Sequence, residues 1–563
     1  MAWCRFTISR FDPYTVMTAE KRLIVQRDRY VTGVRESWRG YEREMLISLV
    51  RALDIAAYIH HFAGSPIDGE PGIRLRGAAT ALRPLLEAVR NLPGPIPWFR
   101  SNPQLAPAFD KHLLDCGRFS IAIRLAAMER YGMATARIVS EDRILIEVIS
   151  DTEECAELEA QHAAVGRASA AMRTQWPTLA AELPEVRRKL TRYGRTHMGW
   201  FIAYDNDQFL VDHYRAQARI QAAGVVEAEA LPASGMIGGR AFSDWSEAST
   251  AAYGTVLHHI DAAGRLRQRK PNLNMRDLLT IYARRDDIVE VLVERGNDHL
   301  RAQQLMAGLT LDAEGAASSE ERHEIPLPYY IDAGEHFVLL PMFGGLMNPH
   351  AGLLDFLRRT YRGDWDRIVD GRENVFREDL RRLLPEPRYK VLEKGLKLRR
   401  KDKSTLTDAD AVVLDRQTGV VVFVQMKWYD VYGFNLAERD SRRENLLTKG
   451  NEWVDKVHNW IDGRTCAEIS RTYGWGEAAD SAPQLLVMAR HSSQFAGETR
   501  YDTRASWTSW HALTEEMNDP ACDGFVAAIA PGRGRKLSRD NPDDTSIIEI
   551  PGMTVEVRTA RQR

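Results

Sequence analysis

Cysteine is scarce in this chain of 563 residues: Cys4, Cys116, Cys155, Cys466 and Cys522 are all there is. They are scattered and odd in number, and none stands in a CxxC pair or a Cys/His cluster at ligand spacing. That excludes a disulfide framework and a structural zinc module, and predicts a reduced, cytoplasmic protein. An excess of one charge is also missing. Lys and Arg total 76 against 78 Asp and Glu, a net charge of −2, so any attraction to phosphate must come from a local patch. Long apolar runs are absent too. The opening MAWCRFTISRFDPY has no leader core, and Phe337–Met347 is too short to cross a bilayer and contains Pro341. No membrane partner is expected. Neither G-x-x-x-x-G-K-[ST] nor H-E-x-x-H nor G-x-S-x-G occurs, which removes the signatures of a P-loop NTPase, a zinc protease and a serine-hydrolase elbow. No fixed-period repeat supports a solenoid.

What is present begins with helical periodicity. Leu46, Leu49, Val50, Leu53 and Ala57 recur at three- and four-residue steps and predict an amphipathic helix. Similar patterns run through residues 1–310, read as a mostly helical region of no recognised family. Pro and Gly near 224–240 suggest a subdomain break. Residues 274–296 (NMRDLLTIYARRDDIVEVLVERG) read as one further helical stretch. The small, polar segment TLDAEGAASSEERH opens a linker and connecting segment over 311–370. From 371 to 530 the pattern changes to helix, strands, helix, strand and helix. That order predicts an α/β domain with a central mixed sheet covered by helices. Residues 531–563 read as a tail or an edge strand.

One stretch carries chemistry: TDADAVVLDRQTGVVVFVQMKW, residues 407–428. It predicts two strands joined by the turn DRQTG. The second strand, VVVFV, is apolar on both faces, as a central strand must be. Side chains alternate along a strand, so Gln425 and Lys427 share one side and Met426 takes the other. Polar residues at the end of a buried strand need a reason to be there, either a site or the polar edge of an ordinary sheet.

Asp410 followed by Gln425-x-Lys427 resembles the active-site hairpin of the PD-(D/E)xK nuclease superfamily, in its Mrr-like variant. The resemblance covers roughly residues 370–520. It implies a restriction-endonuclease-like fold and metal-dependent phosphodiester hydrolysis, with prokaryotic restriction or phage defence as the biological setting. Asp410 is then the ligand of Mg²⁺, or of Mn²⁺, because a hard cation prefers carboxylate oxygen. Gln425 supplies a neutral oxygen, and Lys427 holds the attacking water and offsets phosphate charge. The resemblance further implies the main-chain carbonyl of Met426 as a ligand, and an acidic residue on the preceding helix, here Glu378.

LRRKDK stands directly before the Asp410 strand. Arg399, Arg400, Lys401 and Lys403 are therefore candidates for contacting nucleic-acid phosphates, with double-stranded DNA the expected partner. The N-terminal helical region leaves open a homo-oligomer or a protein partner. A second reading stays open beside the nuclease: a domain of the same fold without catalysis, acting as a nucleic-acid-binding or protein-interaction scaffold.

Overall fold

The structure, a computed structural model, describes residues 17–67, 69–90, 92–148, 152–294, 297–429, 435–492, 501–530 and 545–559. It is an α/β protein with several hydrophobic cores, combining many helices with several mixed sheets. Helix α1 (Glu42–Phe62) runs through the largest core, and the predicted Leu46, Leu49, Val50, Leu53 and Ala57 are all buried. Among the described residues α1 is the one helix long and apolar enough to cross a membrane, and 56% of that apolar stretch is buried inside the protein.

Two charged residues of α1 are also buried, and each is held by several polar partners. Arg51 donates to Phe99 O at 3.0 Å and Tyr282 Oη at 2.8 Å, and lies 3.3 Å from Asp277. Asp54 accepts from Thr280 Oγ1 at 2.6 Å, Met342 N at 2.7 Å and Phe343 N at 3.0 Å. Buried polar groups persist only when partnered in this way. Through Asp54, α1 holds a segment nearly 290 residues further along the chain.

The expected boundaries shift accordingly. The core that contains α1 extends to Trp365 and includes Ala230, Leu231 and Ile237, so no core boundary falls at 224–240. Residues 311–370 are not a linker. They hold helices Ala313–Glu321 and Ala351–Thr360, and strands Tyr330–Asp332 and Phe337–Leu340, whose apolar residues complete that core. The stretch 274–296 is not one helix either. Ile281–Arg284 is a strand paired antiparallel to Phe337–Leu340, between helices Arg276–Leu279 and Arg285–Glu294. A short run such as TIYAR satisfies both periodicities, and the partner strand decides. Further back lies the hairpin β1 (Ala134–Ser140) and β2 (Arg143–Val148).

The C-terminal unit opens with α2 (Arg362–Leu383), followed by β3 (Tyr389–Val391), β4 (Leu396–Arg399), β5 (Thr405–Ala409), β6 (Ala411–Asp415) and β7 (Val420–Lys427). Next come α3 (Leu436–Arg443), α4 (Lys449–Ile461), β8 (Gln484–Ala489), β9 (Ser506–Ser509) and α5 (Trp510–Asn518). Five of these strands form a sheet in the order β3-β6-β7-β8-β9. The β3–β6 and β6–β7 pairs are antiparallel, whereas β7–β8 and β8–β9 are parallel. Strand β7 is thus central and buried on both sides. Val421 and Phe423 face Trp453 and Val457 of α4, and Val422, Val424 and Met426 face Phe376 and Leu380 of α2. Strands β4 and β5 form a separate hairpin that extends from the sheet just before β6.

Residues 531–544 of the expected tail lie outside the described residues. Beyond them, β10 (Thr545–Ile550) and β11 (Met553–Thr559) return to the N-terminal region and complete a sheet ordered β1-β2-β11-β10. Strand β10 is an edge strand, as expected, but β11 is interior and parallel to β2, with Val555 opposite Ile144.

Replacing Asp54 with Ala should lower stability by about 3–5 kcal/mol, because it strands Thr280 and two backbone N–H groups in the core and removes a neighbour of Arg51. Denaturant unfolding measures this, and a loss below about 1 kcal/mol would show that the network is replaceable.

Candidate active site

The turn that joins β6 to β7 is built around Asp415. This side chain is fully buried, takes Arg388 at 3.3 Å and accepts from Gln417 N at 3.0 Å. Gly419 closes the turn at φ 71°, where a Cβ would lie 2.5 Å from Ala479 N. Glycine is therefore required both by the backbone angle and by the close approach. This turn sets the register: Asp415 pairs with Val420 and Ala411 with Val424. Continuing the ladder by one residue brings Asp410 opposite Gln425.

Asp410 is not inside a strand. It sits at the bend where β5 leaves its partner β4 and β6 joins the main sheet. The bend is fixed by hydrogen bonds from β7. Met426 N donates to Asp410 Oδ2 at 2.7 Å, and Gln425 Nε2 donates to the same oxygen. Among the described residues no donor reaches Asp410 Oδ1 or Gln425 Oε1. Met426 itself is fully buried in the layer against α2, on the opposite side of the strand from Gln425.

Lys427 is the last residue of β7, and its long side chain brings Nζ to 3.5 Å from Glu373 Oε1 of α2. Glu373 is the acidic residue that α2 brings to this cleft. Glu378, expected in that role, is exposed and paired with Arg381 at 3.1 Å. The two positions are five residues apart, which is about 140° round a helix, so they cannot share a face. Glu373 was hidden because residues 364–374 are polar and contain Gly371, which concealed the first three turns of α2. The buried stripe Trp365, Arg372, Phe376 and Leu380 was the available signal: it orients α2 and leaves Glu373 and Arg377 at its cleft edge. Arg377 donates from Nε to the main-chain carbonyl of Asp410.

Burial pushes the Asp410 carboxyl up to about 7, and the negative charge of Glu373 acts in the same direction. The Met426 N–H and the Lys427 ammonium oppose this, and Asp408 adds a smaller upward push. A carboxyl perturbed by burial and by a second carboxyl, at the end of a central strand, marks a candidate functional site. The donor set suits a hard divalent cation: Asp410 Oδ1, Gln425 Oε1, the Glu373 carboxylate and the Met426 carbonyl are all oxygens. Among the described residues no three His, Cys, Asp or Glu side chains form a metal-ligand group. Asp410 and Glu373 are close enough for the charge of one to act on the other, and paired carboxylate oxygens are a donor type that suits Mg²⁺.

The basic candidates lie together on the β4–β5 hairpin. Arg399, Arg400, Lys401 and Lys403 are exposed around its tip, and among the described residues none of the four makes an ion pair with a carboxylate. Arg399 Nη1 donates to Lys403 O at 2.9 Å and Arg400 Nη1 to Thr405 O at 3.0 Å, so the tip is held by its own backbone. His491, beyond β8, is buried, and burial, aided by the charges of Arg490, Arg372, Arg167 and Arg442, pushes it well below the usual range. No family model matches the chain, and comparison with curated proteins and with solved structures finds no match.

A carboxyl whose folded pKa is raised contributes stability that is complete below its unfolded value and is lost as pH rises through the folded value. The metal-free protein should therefore lose more melting temperature between about pH 5 and pH 8 than Asp410→Asn does. Glu373→Gln should move the Asp410 midpoint down, and carbon NMR of the Asp410 carboxyl would read it. An unchanged midpoint would separate the two carboxyls.

Proposed function

We propose that the chain is a metal-dependent nuclease of the PD-(D/E)xK type that hydrolyses phosphodiester bonds in double-stranded DNA. The observation that carries this reading is the convergence of Asp410, Gln425, Lys427 and Glu373 at the end of the central strand. The β3-β6-β7-β8-β9 sheet, with helices on both faces, supports a restriction-endonuclease-like fold.

Asp410 and Glu373 would hold Mg²⁺ or Mn²⁺, with Gln425 Oε1 and the Met426 carbonyl completing the protein ligands. A bound divalent cation supplies charge for the phosphoryl oxygens and lowers the pKa of water. Lys427 would orient the attacking water, and its positive charge would offset that of the transition state. Its contact with Glu373 fixes the ammonium at this point. Because Asp410 must ionise to bind a cation, metal affinity should rise with pH through about 7. The hairpin carrying Arg399, Arg400, Lys401 and Lys403 provides the phosphate attraction that the net charge of −2 denies the molecule as a whole.

The Gln425 amide supports a second reading. Its N–H occupies Asp410 Oδ2, which leaves one carboxylate oxygen for a cation and suits a domain that binds nucleic acid without cutting it.

Plasmid DNA incubated with Mg²⁺ or Mn²⁺ should be cut by the wild type. Asp410→Ala, Lys427→Ala and Glu373→Gln should each cut about 10²-fold more slowly or worse. Glu378→Gln should remain within about threefold of wild type, because its carboxylate lies outside the cleft. Equal cutting by wild type, Asp410→Ala and Lys427→Ala would remove the assignment, and tight binding without cutting would select the scaffold. Neutralising Arg399, Arg400, Lys401 and Lys403 together should make the slope of log affinity against log salt shallower by about 3 or more.

A further inference from the structure

We propose that Arg377 is a phosphate-binding residue, which takes a backbone phosphate of the nucleic acid beside the one that is hydrolysed. The inference rests on the nuclease-fold reading of the cleft and extends it to the substrate. Arg377 lies four residues after Glu373 on α2, so both occupy the same edge of the helix. Its neighbours on α2 have partners within the protein. Arg381 is 3.1 Å from Glu378, Arg382 is 3.4 Å from Asp379, and Arg372 donates to Ala230 O at 2.7 Å. Among the described residues Arg377 makes no ion pair, and its one hydrogen bond runs from Nε to the main-chain carbonyl of Asp410.

That bond aims the guanidinium. With Nε fixed on the carbonyl, the two Nη groups form the outer edge of a planar fork. Such a fork matches the oxygens of a phosphate and loses little freedom on binding because it is already oriented. The contact is to the backbone of Asp410 and not to its carboxylate, where Lys427 and Glu373 meet. Arg377 is therefore displaced from the reacting phosphate by part of a residue, and a neighbouring phosphate on the same strand is what it meets. Contacts of this kind position the substrate without reading its sequence.

The test measures binding of a double-stranded oligonucleotide over a salt series in the Lys427→Ala background, and cleavage kinetics in the otherwise native chain. Arg377→Ala should weaken binding about tenfold and make the salt slope shallower by about one. In cleavage, KM should rise while kcat stays within about threefold. Arg377→Gln keeps an N–H for the Asp410 carbonyl but removes the charge, and it should lose the same increment of slope even if the Ala variant fails to fold. Arg377→Lys should restore most of the slope. An unchanged slope in the Gln variant, or a fall in kcat with KM unchanged, would overturn the proposal and leave Arg377 as a prop for the Asp410 backbone. Binding without cleavage by the native chain would sink the catalytic reading while the slope still decides Arg377. Neither binding nor cleavage would sink both.

Discussion

The hydrogen bond from Met426 N to Asp410 Oδ2, 2.7 Å long, is the contact on which the cleft depends. It joins the bend between β5 and β6 to the end of β7, two points sixteen residues apart in sequence. Because the bond uses a backbone donor, it does not depend on which side chain stands at 426. The buried sheet holds β7 in place, and the turn at Asp415 and Gly419 sets its register. A shift of one residue would turn Gln425 and Lys427 to the opposite side of the strand. The chemistry therefore rests on a register that burial on both faces makes costly to change.

The bend at Asp410 has a second consequence. It splits what would be one long strand into two, and the first half pairs with β4 as a separate hairpin. Four cationic side chains at that tip are joined to the proposed metal ligand by a short stretch of extended backbone. On the nuclease reading, phosphate attraction and hydrolysis are thus built on one continuous segment. The rest of the chain fixes this unit at both ends. Helix α2 grows out of the N-terminal core, with Trp365 inside that core and Phe376 against the sheet. After the sheet, the chain returns to insert β11 beside β2. Leu436 of α3 packs in the cluster that holds β2 and β11, so α3 is anchored on the N-terminal region as well.

Much of the C-terminal unit was legible in the sequence. The continuous apolar runs in AVVLD and VVVFVQMK specify strands buried on both faces, and QLLVMA specifies the next. Those signals are local and survive without knowledge of the partners. The misreadings share one cause. Residues 364–374 are mostly polar, so the helix was read as starting only at Val375, and Glu378 was then the nearest acid to choose. The start of 311–370 looked like a linker because the buried residues of the helix Ala313–Glu321 are mostly small (Gly315, Ala316 and Ser319) and are covered by elements distant in sequence. Composition reports what a residue tolerates, whereas burial depends on what arrives from elsewhere.

The sequence by itself determined the central hairpin, its turn, and the side of the strand that Gln425 and Lys427 share, because period-two alternation and turn chemistry act between near neighbours. The tertiary structure decided that Glu373 and not Glu378 reaches the cleft, that Asp410 sits at a bend, and that the final strand lies beside Arg143–Val148. Each of these depends on how one element is rotated or paired against another distant in sequence. That rotation is set by the packing of whole faces such as Phe376 and Leu380 against β7, which no local window contains.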